Sequence, residues 1–230
     1  MKAIILAAGR GLRMGKLTDH TPKPLLIVDG FPIINYIVRQ LHEAGIWNIC
    51  IVVGYLGDDI ISYFNNNTNS VIEYIRQVEQ TGSADAIWLA KDWLNGEDFI
   101  CLNGDNCYHC DIKQIIDEFN TTKPDILIGV SDKLHGMITA DNNNNLCGVT
   151  NLNNNNNNSL NTINYKDAAI ACFSGKTINL FRNNLGYANV LSKAILDKLC
   201  VRVKQIDGFC LNINTPDDLE RANKIHINIK

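Results

Sequence analysis

The sequence has no apolar run as long as a membrane-spanning helix requires, and it has no excess of positive charge. Its 21 Lys and Arg residues face 24 Asp and Glu residues, which gives a formal net charge of −3. The chain therefore lacks the overall basic field that nucleic-acid binding needs. Its first apolar run is too short for a signal peptide and leads straight into a glycine-containing loop. We expect a cytoplasmic protein that contacts neither membrane nor nucleic acid.

The sequence also lacks the spacing of a zinc site, although it has eight cysteines. Only Cys107 and Cys110 are spaced like metal ligands, and no second pair completes a set of four. The other thiols fall largely in apolar runs, where cysteine behaves as a small core residue; these are Cys50, Cys101, Cys172 and Cys210. We expect reduced structural thiols.

Two common phosphate-binding motifs are absent, but a third kind of phosphate loop is present. There is no Gly-Lys-Ser/Thr run, and the dinucleotide fingerprint fails because Met14 stands where a third glycine is needed. Instead, a short apolar strand over Lys2–Leu6 runs into Ala7–Arg13, a loop of small residues with two arginines. Lys23 then follows between two prolines, which restrict its backbone. The combination predicts a nucleoside triphosphate site, with an ordinary glycine turn as the alternative.

Strand and helix patterns alternate over the first 130 residues, which predicts an α/β fold with a mostly parallel, mixed sheet between layers of helices. We expect one domain over residues 1–230, with a nucleotide-binding half to about residue 130 and an acceptor-binding half beyond it. The asparagine tracts Asn142–Asn145 and Asn153–Asn158 predict solvated loops. Val201–Ile206 and Phe209–Asn212, on either side of Asp-Gly, predict a hairpin.

Three further segments combine strand ends with polar side chains. Asp105 follows an apolar strand and a glycine, which suits a Mg²⁺ ligand, although a plain turn is equally compatible. Gln77 and Gly82 precede a helix that Ser83 can cap, and a glutamine amide can both donate to and accept from a base. The alternative here is an ordinary capping loop. Near the C-terminus, Asn212 and Asn214 offer neutral oxygens beside a helix that Pro216 begins and Thr215 caps.

Taken in order, these segments resemble the nucleotidyltransferases that make nucleotide sugars, whose fold is a Rossmann-like three-layer sandwich. That family opens with Leu-Ala-Ala-Gly-x-Gly-x-Arg and Pro-Lys-Pro-Leu, which match Leu6–Arg13 and Pro22–Leu25. Its Gln-x-x-x-x-Gly, Gly-Asp and Thr-Pro-x-Asp-Leu motifs match here as well. The resemblance implies that Arg13 and Lys23 bind the triphosphate and act in catalysis, and that Asp105 binds Mg²⁺. It implies nucleotide contacts from Leu6, Ala8, Gly9, Gly11, Gln77, Gly82 and Ser83.

The resemblance implies transfer of a nucleotidyl group from UTP or dTTP to a sugar 1-phosphate, with release of pyrophosphate. Two segments depart from the family pattern. Asn212 replaces the second metal carboxylate, which makes Asn214 a candidate ligand. The Glu-Lys-Pro of the acceptor side is missing, and Asn-Ala-Gly becomes Asp-Ala-Ala, so that Lys166 and Asp167 are the candidate acceptor contacts. Two alternatives remain, a cytidylyltransferase acting on phosphocholine or another small phosphate, and a non-catalytic nucleotide-binding protein. An oligomer is compatible with nucleotidyl transfer to a sugar 1-phosphate and with both alternatives.

Overall fold

A mixed β-sheet of nine strands forms the centre of the molecule. The structure, a computed structural model, describes residues 1–67, 72–131, 138–149, 162–183 and 186–225. In chain order the strands are β1 (Lys2–Ala7), β2 (Ile27–Val28), β3 (Phe31–Pro32), β4 (Ile49–Val53), β5 (Ile72–Arg76), β6 (Phe99–Asn103), β7 (Asn106–Cys110), β8 (Ile126–Ser131), β9 (Ile138–Asp141), β10 (Leu146–Val149), β11 (Thr162–Phe173), β12 (Val201–Gln205) and β13 (Gly208–Asn212). The α-helices are α1 (Ile33–Glu43), α2 (Gly57–Asn67), α3 (Ser83–Leu89), α4 (Lys91–Leu94), α5 (Ile112–Thr122), α6 (Tyr187–Leu196) and α7 (Pro216–Lys224).

The sheet is mostly parallel. β1 lies between β4 and β6 and pairs in parallel with both, and β4 pairs in parallel with β5. β11 runs antiparallel to β6 and β8, and β8 pairs in parallel with β12. The first residues of β11 also pair with β9, which in turn joins β10. The prediction of an α/β fold with a mostly parallel, mixed sheet is confirmed.

Apolar helix faces cover both sides of this sheet. On one side, α1 and α5 bury apolar residues at helical spacing against the alternate side chains of β1 and β4. On the other side, α3 and α6 pack in the same way against β1, β6 and β8. A smaller apolar cluster joins β2, β7 and α7, and holds the buried side chain of Met14. The helices thus form the outer two layers of a three-layer sandwich.

The carboxyl ends of β1 and β6 lie side by side because a glycine follows β6. The backbone N–H of Gly104 donates to the carbonyl oxygen of Leu6 at 2.8 Å. A Cβ atom at position 104 would lie only 2.9 Å from that oxygen, so a larger residue would force the two strand ends apart. The contact brings Asp105 beside the loop that follows β1.

The predicted hairpin between Val201–Ile206 and Phe209–Asn212 is wrong. β12 instead extends the central sheet beside β8, and β13 pairs antiparallel with β7 in a separate two-stranded sheet. Gly208 has a φ of +116° and packs so closely on His109 that a Cβ atom would lie 2.0 Å from the His109 carbonyl oxygen. The glycine therefore allows a close approach to β7 and does not form a hairpin turn.

The remaining loop and terminal predictions have mixed outcomes. Asn142–Asn145 is exposed and contains a turn, as predicted, whereas Asn153–Asn158 lies outside the described residues. Thr215 caps α7, and Asp218 completes a reciprocal capping box. Among the described residues, no helix has the length and apolar character needed to cross a membrane.

Candidate active site

A cleft of about 540 Å³ opens at the carboxyl edge of β1 and β6, where open α/β sheets bind their ligands. One wall is the loop after β1, and the other is the segment between β5 and α3. Most of the residues that the sequence nominated line this cleft: Leu6, Ala8, Gly9, Gly11, Arg13, Lys23, Gln77, Gly82, Ser83, Asp105 and Asn214. The structure thus brings together the elements of the predicted triphosphate site.

The loop after β1 is shaped by a glycine at its turn into a 3₁₀ helix. Gly11 adopts φ +67° at the N-cap of the segment Leu12–Thr18, a conformation that favours glycine. The Thr18 hydroxyl donates to the Gly11 carbonyl oxygen at 3.1 Å, and the buried Met14 anchors the helix. Arg13, the next residue along from the exposed Leu12, is also exposed, so its guanidinium is available at the cleft.

Lys23 is a buried lysine whose charged end reaches the cleft. Lys23 lies between Pro22 and Pro24 and is the first residue of a short 3₁₀ helix. Only 7% of its side chain is exposed. Its ammonium donates to a carboxylate oxygen of Asp105 at 2.5 Å and to the side-chain amide oxygen of Asn214 at 3.2 Å. A buried ammonium requires such partners, because an isolated charge in a protein interior is costly. The contacts therefore hold three predicted site residues in one group.

The start of α7 fixes the position of Asn214. The Asn214 backbone N–H donates to the Asp218 carboxylate at 3.0 Å, and the Thr215 backbone N–H donates to the same oxygen. Burial raises the pKa of Asp218, but these hydrogen bonds and that of the Thr215 hydroxyl outweigh burial and leave the pKa below its usual value. The side-chain amide oxygen of Asn214 also accepts from the Arg13 guanidinium at 2.7 Å. Asn214 thereby links the two cationic residues.

The oxygen atoms of Asp105 and Asn214 are the kind of ligand that a hard divalent cation prefers. Within the described ranges, no group of three or more His, Cys, Asp or Glu residues is arranged to hold a metal ion. One carboxylate and one amide oxygen match a metal held partly by substrate phosphates, which is the usual arrangement for Mg²⁺. The donor chemistry of this pair therefore fits a phosphate-bound divalent metal.

Cys107 and Cys110 belong to no group of three or more His, Cys, Asp or Glu side chains that could hold a metal ion within the described residues. Burial raises the pKa of both thiols to about 12. All eight cysteines are free thiols, and Cys50, Cys101 and Cys172 are buried in the core as predicted.

Gln77 is buried at the floor of the cleft, and its amide nitrogen is engaged within its own loop. That nitrogen donates to the Gly82 carbonyl oxygen at 3.0 Å and to the Asp85 carboxylate at 3.2 Å. In this conformation the Gln77 amide oxygen has no hydrogen-bond partner among the described residues, and recognition of a base by Gln77 stays a prediction. Ser83 does not cap α3, because Gly82 occupies the N-cap position and Ser83 is the first helical residue.

Gln80 is a cleft residue that the sequence interpretation missed. Its side-chain amide nitrogen donates to the Ala8 carbonyl oxygen at 3.1 Å, and the same oxygen accepts from the Tyr55 backbone at 3.2 Å. The bond ties the two walls of the cleft together across 72 residues of sequence. No local motif marks such a contact, because it depends on how β1 and β5 are placed in the sheet.

The other nominated residues lie outside the cleft lining. Asn212 is exposed on β13 opposite Asn106, whereas Asn214 lines the cleft together with Asp105. Lys166 is exposed on β11, and Asp167 follows it as a half-buried residue. Neither residue is among those that line the cleft.

The part of β11 that follows Asp167 nevertheless contacts β6, the strand that ends at the cleft. The Tyr108 hydroxyl donates to the Ala169 carbonyl oxygen at 2.6 Å and accepts from the Asn103 backbone N–H at 3.0 Å. Asn103 is itself a lining residue of the cleft. A single buried hydroxyl thus connects the predicted acceptor segment to the cleft edge.

Comparison with protein families gives a match to the nucleotidyl transferase family over residues 2–154. The bifunctional protein GlmU of Methanococcus aeolicus is 31% identical over 232 residues, an alignment that covers 97% of this chain and 54% of that relative. The UTP–glucose-1-phosphate uridylyltransferase AglF of Haloferax volcanii is 36% identical over 117 residues, which covers 50% of this chain and 48% of that protein. The chain spans about half the length of the GlmU relative.

Among solved structures, a protein assigned as a glucose-1-phosphate thymidylyltransferase from Bacillus anthracis has a similar fold. It superposes with a TM-score of 0.84 at 22% sequence identity and covers 100% of this chain and 97% of that one. At this level of identity the likeness concerns the fold alone.

Proposed function

The chain belongs to the nucleotidyl transferase family, and from that premise we propose that it transfers a nucleotidyl group from UTP or dTTP to a sugar 1-phosphate. The reaction releases pyrophosphate and forms a nucleoside diphosphate sugar. The single observation that carries this proposal is the contact group at the cleft, in which Lys23 bonds to both Asp105 and Asn214 while Arg13 bonds to Asn214.

The reaction needs positive charge and positioning rather than a protein nucleophile. The phosphate of the acceptor is already anionic and attacks the α-phosphorus in line with the leaving pyrophosphate. Lys23 supplies a fixed positive charge from a buried position, and Arg13 supplies a planar group able to hold phosphate oxygens through two bonds. Charges that are already in place stabilise the transition state without reorganisation.

Mg²⁺ is the proposed cofactor. The Asp105 carboxylate and the side-chain amide oxygen of Asn214 would hold it together with substrate phosphates. When bound, it would neutralise charge on the triphosphate and orient it. The hard-oxygen donor set supports this assignment.

The base preference rests on Gln77 and on the names of the relatives. The free amide oxygen of Gln77 suits the N–H of a uracil or thymine ring, and related proteins are named for uridylyl and thymidylyl transfer. The same names support a sugar 1-phosphate as acceptor, with Lys166 and Asp167 on the acceptor side. Free thiols throughout the sequence support a reducing, cytoplasmic setting.

The direct test is a matrix of nucleotides and acceptors, read by pyrophosphate release. The purified protein is incubated with Mg²⁺ and UTP, dTTP, CTP or ATP, each combined with hexose 1-phosphates or phosphocholine. We expect turnover with UTP or dTTP and a sugar 1-phosphate, and we expect Asp105→Asn to reduce it by about a hundredfold or more while the protein remains folded. A matched control is Asp207→Asn, which changes an exposed carboxylate outside the cleft.

Other outcomes identify the rival functions. Turnover with CTP and phosphocholine would replace the sugar 1-phosphate assignment with the cytidylyltransferase alternative. Nucleotide binding without pyrophosphate release from any acceptor would indicate a non-catalytic nucleotide-binding protein.

A further inference from the structure

Asp167 is a carboxylate without a cationic partner. One of its oxygens accepts from the Ala169 backbone N–H at 2.7 Å, and no lysine, arginine or histidine forms an ion pair with it among the described residues. Burial raises its pKa to about 6 from an ordinary value of 3.8, against the lowering effect of that hydrogen bond. The protein thus holds a half-buried carboxylate that its own residues leave incompletely neutralised.

The surroundings of Asp167 lie on the same face of the sheet as the cleft. Its charge raises the pKa of the Cys101 thiol and the Tyr187 hydroxyl, which places it near both residues, although burial is the larger cause for each. Cys101 and Tyr187 belong to the apolar cluster that also includes Leu6 of the cleft wall. Asp167 therefore lies near the apolar cluster that α3 and α6 form with the sheet.

The backbone around Asp167 is tied to the end of β6. The Tyr108 hydroxyl donates to the Ala169 carbonyl oxygen and accepts from the Asn103 backbone N–H. Asn103 lines the cleft and lies two residues before Asp105. A bulge in the β11–β8 pairing between Asp167 and Ala171 turns this part of the strand, and Ala169 adopts φ +55° within it. Asp167 therefore belongs to the part of β11 whose backbone is hydrogen-bonded, through Tyr108, to the end of β6.

From these contacts we infer that Asp167 selects an acceptor that carries a protonated amino group, that is, an amino-sugar 1-phosphate. This inference rests on the proposed function. A carboxylate can only accept hydrogen bonds, and it gains most from a charged donor. A ligand ammonium would supply the neutralising charge that the protein does not provide, while the ligand phosphate remains near Lys23 and Arg13.

The Tyr187 hydroxyl supports the same assignment. Burial and the charge of Asp167 raise its pKa well above the usual value, so it stays a neutral hydroxyl. It makes no hydrogen bond within the described part of the chain, and it is therefore available beside the carboxylate for a sugar hydroxyl group.

The test compares three acceptors that differ only at one substituent. Glucosamine 1-phosphate carries a protonated amine near neutral pH, glucose 1-phosphate carries a hydroxyl, and N-acetylglucosamine 1-phosphate carries an uncharged amide. With UTP as donor, we expect kcat/KM to favour glucosamine 1-phosphate by about tenfold or more, because a hydrogen bond between charged groups is at stake. The acetylated acceptor separates the effect of charge from that of the nitrogen atom.

Asp167→Asn should remove most of this preference and leave the KM for UTP unchanged, because the triphosphate site is separate. Asp207→Asn, which removes an equal charge from an exposed turn, should keep the preference. Glucose 1-phosphate as the better acceptor of the wild-type protein would overturn the inference and leave the proposed function standing. Pyrophosphate release from none of the three sugars would overturn both.

Discussion

The Lys23 ammonium lies 2.5 Å from the Asp105 carboxylate, which is the group that we propose as the principal metal ligand. About 7% of the lysine side chain and 32% of the aspartate side chain are exposed, so water screens the pair only partly. A metal bound by Asp105 would therefore compete with Lys23 for one carboxylate until a triphosphate provides negative charge for both. We expect metal binding by the free protein to be weak and dependent on nucleotide.

Replacing Lys23 should strengthen metal binding to the nucleotide-free protein. In Lys23→Met the competing charge is gone, and we expect Mn²⁺ to bind about tenfold more tightly in a titration followed by electron paramagnetic resonance. Turnover of the same variant should fall sharply, because the triphosphate loses a fixed cation. Lys193→Met is the control, since Lys193 forms an exposed ion pair with Asp197 on α6. Unchanged or weaker Mn²⁺ binding by Lys23→Met would contradict the competition.

Gln80→Ala should weaken nucleotide binding without unfolding the protein. The variant loses the side-chain bond to the Ala8 carbonyl oxygen that joins the two walls of the cleft. A single hydrogen bond of this kind contributes about 1 kcal/mol, so we expect KM for the nucleotide to rise about three- to tenfold in steady-state kinetics. Glu79→Ala removes the neighbouring exposed side chain and should have little effect. Equal kinetics for the two variants would show that the tie has no role in binding.

Asp167→Asn should stabilise the protein in a pH-dependent way. The pKa of Asp167 is raised to about 6 in the folded protein, so the folded state binds this proton more tightly than the unfolded state. That contribution is fully present below the unfolded pKa of about 4 and is lost as the pH rises to about 6. Denaturant melts should therefore show similar stability for variant and wild type near pH 4, and a gain of about 1–3 kcal/mol for the variant above pH 6. A gain that is constant across this range would argue against the raised pKa.

Ala169→Gly should also stabilise the fold, through the backbone alone. Ala169 has φ +55°, where a Cβ atom costs about 1 kcal/mol, and glycine removes that cost. Thermal melts should show a higher midpoint for this variant. Ala168→Gly, a buried neighbour outside the left-handed region, should lower the midpoint because it loses packing and gains unfolded-state freedom.

The sequence was sufficient to predict that the segments after β1 and β6 lie together. Strand ends of a parallel sheet meet at one edge, and the Gly104 backbone N–H indeed donates to the Leu6 carbonyl oxygen there. The proposed acceptor half was harder to predict from the sequence. A bulge in β11 places Asp167 and Lys166, and no local sequence pattern indicates this bulge.

Pairing between distant strands explains the other errors. The Asp-Gly pair at 207–208 has the composition of a hairpin turn. However, β12 pairs with β8 and β13 pairs with β7, so that the two strands do not pair with each other. Gln80 was missed for a related reason, since side-chain hydrogen bonds depend on which carbonyl groups the tertiary fold brings near.

The central claim is that this cleft joins a nucleotide to a sugar 1-phosphate, and ³¹P nuclear magnetic resonance measures both products at once. With UTP or dTTP, Mg²⁺ and hexose 1-phosphates supplied one at a time, we expect pyrophosphate and a nucleoside diphosphate sugar to accumulate in equal amounts for at least one acceptor, and Asp105→Asn to form neither at a comparable rate. A triphosphate and sugar 1-phosphates left unchanged by the wild-type protein, or equal product formation by Asp105→Asn, would contradict nucleotidyl transfer in this cleft.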